Sequence, residues 1–370
     1  MASDKKTNTN LHSAKTEKND EFYTQLSDIQ AEISHYPDKF KDKVVFCNCD
    51  DPFESNFVKY FLMNFNRLGL KELIATGYKT STVGGTEIGE KNTPYALRVT
   101  DTSKYLVGTQ KDLDIRGAKY FLQTEGDKIM TPLIGNPALD ENGKQIQITI
   151  KEKYTDANGK TKTKNIKQDL YYEAGDFRSD MSLELLKQSD IVVTNPPFSL
   201  FREYIAVLMQ YQKDFLIIGN KNAITYKEFF PLLKNNKVWI GNDTPVNFIL
   251  PDSSITKKVQ GLTRWFTTLD HPKRHQMLPL DLGFVYEGHE DMYPKYDNYD
   301  AINVDKTAEI PSDYTGVMGV PITFLDKYCP EQFEIVAFRK GETSIAGMIK
   351  NAEGKINGKP TYARITIKRK

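Results

Sequence analysis

Cysteine is scarce: three in 370 residues cannot build a disulfide framework. Two of them, Cys47 and Cys49, sit in a strand-like run where reduced thiols fit best. No second Cys/His pair stands at zinc spacing, so no metal site is expected. Long apolar runs are missing too, and without 18 consecutive apolar residues no membrane-spanning helix is expected. The start, Met1-Ala-Ser-Asp-Lys-Lys-Thr-Asn, lacks the apolar stretch of a secretory signal, so the expected location is cytoplasmic. Excess charge of either sign is also lacking. Fifty basic against 49 acidic residues leave a formal net charge of +1, which neither demands nor excludes a nucleic-acid partner.

What is present is enough apolar and aromatic material to fill a core, 39% and 11% of residues. Residues 1–19 are polar and Lys/Asn-rich and read as a flexible arm. Residues 20–78 read as the first part of a catalytic core. Val44-Val45-Phe46-Cys47 is a buried strand entering an Asp50-Asp51-Pro52 turn. Phe57, Tyr60, Phe61, Phe65 and Leu68 follow at helical spacing, Gly69 closes the helix and Leu73–Thr76 is a second strand. Residues 79–168 read as an insertion. Asp140–Gly143 and Asp156–Gly159 are hairpin turns, and alternation along 145–153 and 161–172 marks a half-exposed antiparallel ribbon. The α/β rhythm resumes over 169–241, with strands at 170–174, 190–194, 214–219 and 237–240 and helices at 181–188, 200–212 and 225–235. This alternation predicts an α/β fold with a doubly wound, mostly parallel sheet. Residues 242–320 are irregular, with interleaved basic and aromatic residues, and read as the region that contacts a large ligand, a pattern that favours nucleic acid over a protein tail. Arg264, Lys273, Arg274, His275, Lys295 and Tyr296 are its candidate contacts. Residues 321–370 are expected to add strands that complete the fold.

The segment that carries chemistry is Asn195-Pro196-Pro197-Phe198, placed between the apolar strand Asp190–Thr194 and the helix that follows. Ligands of open α/β sheets collect outside the carboxyl ends of strands. Consecutive prolines remove two N–H donors and stiffen the chain, leaving carbonyl acceptors that no neighbouring amide claims. An aromatic amine such as adenine N6 is a poor nucleophile because its lone pair is delocalised. The Asn195 side-chain oxygen and the Pro196 carbonyl can each accept one N–H and return that lone pair to nitrogen, while Phe198 offers a stacking face for a flipped base. The same loop suits an RNA adenine or a protein glutamine amide, which stand as alternative acceptors. Asn-Pro also serves as a common turn starter. Gly84-Gly85-Thr-Glu-Ile-Gly89 lacks the flanking strand and Lys-Ser/Thr of a phosphate cradle, and His271 with His275 fits a basic loop better than a metal.

The Asn195–Phe198 tetrapeptide resembles the motif of amino-methylating enzymes, in which Asn, Asp or Ser precedes Pro-Pro and an aromatic. Asp20–Gln25, Cys47–Pro52, Gly175–Ser179, Phe215–Asn220, Tyr293–Asn303 and Gly316–Phe324 resemble the EcoRI-type adenine-specific DNA methyltransferases. The resemblance spans nearly the whole chain apart from the arm and 79–168. It implies a class I methyltransferase sheet, S-adenosyl-L-methionine as methyl donor and double-stranded DNA as acceptor at a short palindromic site. It further implies a monomer of a restriction-modification or solitary type, with any cognate endonuclease acting separately on the same site. The cofactor pocket is implied at Phe22, Tyr23, Thr24, Asn48, Asp50 and Asp51, with Asp176 and Phe177 at the adenine end. A cationic sulfonium and ammonium favour such carboxylates. The first turn departs from the usual glycine-rich pattern, since Cys47-Asn-Cys-Asp-Asp51 stands there.

Overall fold

The computed structural model describes residues 23–52, 55–78, 94–101, 127–155, 159–245, 248–249, 255–256, 261–280, 283–339 and 354–370. Its centre is an eight-stranded sheet. The strands are β1 (Val44–Cys47), β2 (Glu72–Thr76), β3 (Tyr95–Asp101), β4 (Asp127–Pro132), β5 (Ile191–Thr194), β6 (Asp214–Asn220), β7 (Trp239–Ile240) and β8 (Thr263–Thr267). The order is β7-β8-β6-β5-β1-β2-β3-β4. Parallel pairing is confined to β6-β5-β1-β2, and β3, β4 and β8 pair antiparallel on either side. β5 and β1 lie side by side although they are far apart in sequence: the Val44 N–H donates to the Asp190 carboxylate at 2.8 Å across 146 residues. The two loops at their carboxyl ends therefore meet.

Side chains of a strand alternate between faces, and here successive residues feed two separate cores. Val44, Phe46, Val192, Phe215 and Ile217 pack with helices α3 (Asp180–Gln188), α4 (Phe201–Gln210) and α5 (Phe230–Lys234). Val45, Cys47, Ile191, Val193, Leu216 and Ile218 pack with α1 (Leu26–Ile33) and α2 (Asn56–Met63) on the other face. The sheet is therefore doubly wound. A second sheet of four strands, β9 (Ile302–Asn303), β10 (Met318–Val320), β11 (Phe333–Arg339) and β12 (Arg364–Arg369), runs in the order β9-β10-β12-β11. It shares the first of those cores, with the Phe338 ring 5.5 Å from Phe230. Among the described residues, no helix is long and apolar enough to cross a membrane.

Several expected elements take a different form. Residues 79–168 hold two strands of the central sheet, β3 and β4, beside the ribbon. The irregular-looking region after 242 contains β8, which lies inside the sheet between β7 and β6 and buries Trp265 and Phe266 completely. The strand expected at 170–174 is reduced to Tyr171–Tyr172, paired with Asn136–Pro137 outside the main sheet. The helix expected at 225–235 is a 3-10 turn, Lys221–Thr225, followed by the short α5. Pro231 in its first turn explains the break, because proline lacks the N–H that a continuous helix would need there. The carboxy-terminal strands join the second sheet and do not extend the first.

Candidate active site

Four strand ends build one edge of the central sheet. After β1 comes Asn48-Cys49-Asp50-Asp51, after β2 Gly77-Tyr78, after β5 Asn195–Phe198 and after β6 Lys221. Local chemistry holds the first turn: Ser55 caps α2 by accepting from the Phe57 N–H at 3.1 Å, and its hydroxyl donates to Asp50 Oδ1 at 2.6 Å. Thr194, the last residue of β5, donates its hydroxyl to Asp50 Oδ2. The acidic turn and the strand that leads into the Asn195–Phe198 loop are thereby joined directly. Tyr204 on α4 donates to Asn48 Oδ1 and meets the Phe177 ring at 5.0 Å, edge to face. Burial keeps the Tyr204 phenol far above its usual pKa, so it stays a donor.

Asp50 and Asp51 are 6% and 7% exposed. Loss of solvent pushes the Asp50 carboxyl up to about 7, against the lowering effect of its Ser55 and Thr194 bonds, and Asp51 adds repulsion. A buried acidic turn of this kind is poised to receive a cation. Thr24 Oγ1 and Thr76 Oγ1 are buried with no hydrogen-bond partner among the described residues. Thr24 belongs to a short strand paired with Phe248–Ile249, and its carbonyl accepts from Asn56 Nδ2 at 2.8 Å, which fixes the strand against α2. Tyr23 lies on the same strand, while Phe22 falls outside the described residues.

Asp176 and Phe177 reach this edge through the turn at Gly175. Its φ of +80° and the approach of the Gly77 carbonyl, which lies where a Cβ would sit, admit only glycine. Asp176 Oδ1 accepts from the Arg178 N–H and Nε, each at 2.9 Å, and Oδ2 from Nη2 at 2.8 Å. The carboxylate is thus largely engaged by Arg178, and among the described residues one acceptor position on Oδ2 is left. Arg178 also pairs with Glu203 on α4 and lies over the Tyr172 ring at 4.8 Å. Arg178 stands within the Gly175–Ser179 stretch, but no sequence signal joined it, Thr194 or Tyr204 to this network.

In the Asn195–Phe198 loop, Pro196 is buried while Asn195, Pro197 and Phe198 are half-buried. The Asn195 side-chain oxygen is shielded from solvent. The Pro197 carbonyl accepts from the Leu200 N–H at 3.0 Å, so one of the acceptors expected to stay open is consumed by the 3-10 turn Phe198–Leu200. The Pro196 carbonyl accepts no hydrogen bond among the described residues. Phe198 rests against the core on the α1/α2 side.

The expected DNA contacts are scattered. Arg264 on β8 sits at the same edge of the sheet as the Asn195–Phe198 loop, paired with Asp326 at 3.3 Å. Lys273, Arg274 and His275 lie beyond the carboxyl end of β8, which runs against β6, and so occupy the opposite edge of the sheet. There Lys273 donates to the Asn242 carbonyl at 2.7 Å, Arg274 covers the Trp239 ring at 3.9 Å and His275 bridges Asp270 and Glu331. Lys295 is exposed. Tyr296 must be corrected: it is 5% exposed, donates to Asn303 Oδ1 at 2.7 Å and stacks on Tyr299, which leaves no face for a duplex.

Comparison with known proteins agrees with this architecture. The family model described as adenine-specific methyltransferase EcoRI matches residues 10–370. The Type II methyltransferase M.EcoRI of Escherichia coli is 43% identical over 380 residues, covering 98% of this chain and 97% of that protein. The Type II methyltransferases M.MpnI of Mycoplasma pneumoniae and M.MgeORF184P of Mycoplasma genitalium are each 33% identical, over 96% of this chain and 97% of theirs. No solved structure matches the chain. On a match that runs almost from end to end, the chain belongs to the EcoRI-type family of adenine-specific methyltransferases.

Proposed function

We propose that this DNA adenine methyltransferase transfers a methyl group from S-adenosyl-L-methionine to N6 of a flipped adenine in double-stranded DNA. The observation that carries the reading is the junction of an acceptor loop with a buried acidic turn, made by the Thr194–Asp50 hydrogen bond. The residue set suits the cofactor: buried Asp50 and Asp51 would favour its cationic groups, the Thr24 and Thr76 hydroxyls have no partner among the described residues, and Phe177 with Asp176 would suit a purine. When bound, the cofactor supplies an electrophilic methyl group on a sulfonium. The residues that would hold it are Tyr23, Thr24, Asn48, Asp50, Asp51, Asp176 and Phe177.

Asn195 Oδ1 and the Pro196 carbonyl take the two N–H bonds of the amine and draw its lone pair out of conjugation, so no strong base is needed. Phe198 receives the extruded base on its exposed side. Extrusion costs a few kcal/mol and is a condition of reaching N6 at all. Catalysis rests on preorganised acceptors, whose single loss typically costs about 10²-fold or more. Asn195→Ala is therefore expected to lower the single-turnover methylation rate by about 10²-fold and to leave cofactor affinity in calorimetry unchanged. A near-normal rate in a variant that binds cofactor normally would remove Asn195 from the mechanism. A monomer of restriction-modification or solitary type, with any cognate endonuclease acting separately on the same site, completes the reading.

A further inference from the structure

The ribbon Gln147–Thr155 and Thr161–Asp169 belongs to neither core. Every residue of its two strands is exposed except Ile150 and Ile166. Nine residues per strand give a finger about 30 Å long at ~3.4 Å per residue. Such a ribbon buries too little to hold itself in water. Its base is clasped instead, by Leu170 N–H to the Ile146 carbonyl at 2.8 Å and by Ala138 N–H to the Leu170 carbonyl at 2.9 Å. The chain then passes within seven residues from Asp169 to Asp176, so the finger is rooted at the catalytic edge.

Register divides the ribbon into two unlike faces. Residues paired across the strands share a face, and the pairs Thr149↔Lys167, Lys151↔Asn165 and Lys153↔Thr163 fall together. Along its length that face carries ammonium, amide and hydroxyl groups, and at its base the Gln147↔Asp169 pair adds one carboxylate, held by the Gln147 amide at 2.9 Å. The alternate pairs, Ile148↔Gln168, Ile150↔Ile166, Glu152↔Lys164 and Tyr154↔Lys162, place the apolar groups and the Lys164–Glu152 ion pair on the other side. From 147 to 169 there are six lysines against three acids. The excess is basic in a chain that is nearly neutral as a whole.

We infer that the ribbon enters the major groove of the DNA beside the target adenine, with the Lys151, Lys153, Asn165 and Lys167 face toward the duplex. This rests on the reading of the chain as a DNA methyltransferase. The major groove is about 12 Å wide and admits a two-stranded ribbon. Lysines on the inner face neutralise phosphates, and the Asn165 amide has the donor and acceptor that match the N6 and N7 edge of an adenine.

The test uses the full chain and a labelled duplex that carries the site found by mapping N6-methyladenine in DNA from cells expressing the protein. Lys151→Ala/Lys153→Ala/Lys167→Ala is expected to weaken duplex binding roughly 10-fold or more and to flatten the dependence of log affinity on log salt by roughly 0.9 for each phosphate no longer neutralised. Calorimetric binding of S-adenosylmethionine should stay at the wild-type value, which certifies the fold. The opposite-face pair Lys162→Ala/Lys164→Ala should change the slope less. Asn165→Ala should relax the methylated sequence at one base pair. A triple variant with wild-type affinity and slope overturns the inference, and equal losses from both faces overturn the choice of face. If the wild-type protein methylates no DNA, the functional reading itself fails, which is a different result from an inert ribbon.

Discussion

At the scale of single residues, Asp50 does the most to set the behaviour of the site. Its carboxyl is raised by burial from 3.8 to about 7, so the folded protein holds a proton that the unfolded chain releases at lower pH. The sign follows: this group's contribution to stability is present below the unfolded value and is lost as pH rises toward about 7. A cation placed against it reverses the preference and favours the carboxylate. Cofactor affinity is therefore expected to increase as pH is raised from below to above about 7, and Asp50→Asn should flatten that rise in calorimetry. A wild-type affinity independent of pH across this range would count against Asp50 as a cation partner. Gly175 offers a second residue-scale test. With a left-handed backbone and the Gly77 carbonyl in the space an added methyl group would need, Gly175→Ala must move the loop bearing Asp176. Overpacking of that kind typically costs about 1–3 kcal/mol, and a fall in denaturation midpoint together with weaker cofactor binding is the expected result.

At the scale of elements, two serine caps of the same kind differ in what else they touch. Ser55 caps α2 and also donates to Asp50, whereas Ser179 caps α3 by accepting from Ser182 N–H and bonds onward only to the Ser182 hydroxyl. Loss of a serine cap typically costs about 1 kcal/mol. Ser179→Ala should show that loss alone. Ser55→Ala should show it and move the pH dependence of cofactor affinity upward as well, because a bond to the ionised Asp50 has been removed. Equal pH profiles for the two variants would mean that the Ser55 hydroxyl does not tune the acid. α4 has a comparable double duty: it follows the Asn195–Phe198 loop, and Glu203 and Tyr204 fasten it to Arg178 and Asn48.

At the scale of the whole molecule, the second sheet is built into the first. Phe230 of α5 is fully buried against Phe338 of β11, in a cluster that also contains Phe46, Val192 and Phe215 of the central sheet. Phe230→Ala is expected to destabilise the protein by about 3–5 kcal/mol, the usual cost of removing a buried phenylalanine ring. Denaturant unfolding followed by fluorescence would measure it. A loss below about 1 kcal/mol, smaller than a typical core truncation, would show that the two sheets are only loosely joined.

The apolar runs Val44–Cys47 and Ile191–Thr194 and the stiff acceptor loop at Asn195–Phe198 are written in neighbouring residues, so the doubly wound core and the likeness to adenine methyltransferases were legible without coordinates. Short-range chemistry decides such features, since a proline pair restricts its own backbone wherever it stands. Other features depended on strand order. Thr194 finds Asp50 across 144 residues and Tyr204 finds Asn48 across 156, because β5 lies beside β1 and α4 packs over them. The same holds for the antiparallel β8, whose Thr-Arg-Trp-Phe-Thr reads as part of an irregular basic and aromatic region until β6 and β7 flank it. It holds for Tyr296, whose ring the sequence pattern assigns to a duplex and the second sheet buries. Only the tertiary structure could settle these, because burial and partnership belong to surfaces that distant segments make when they meet.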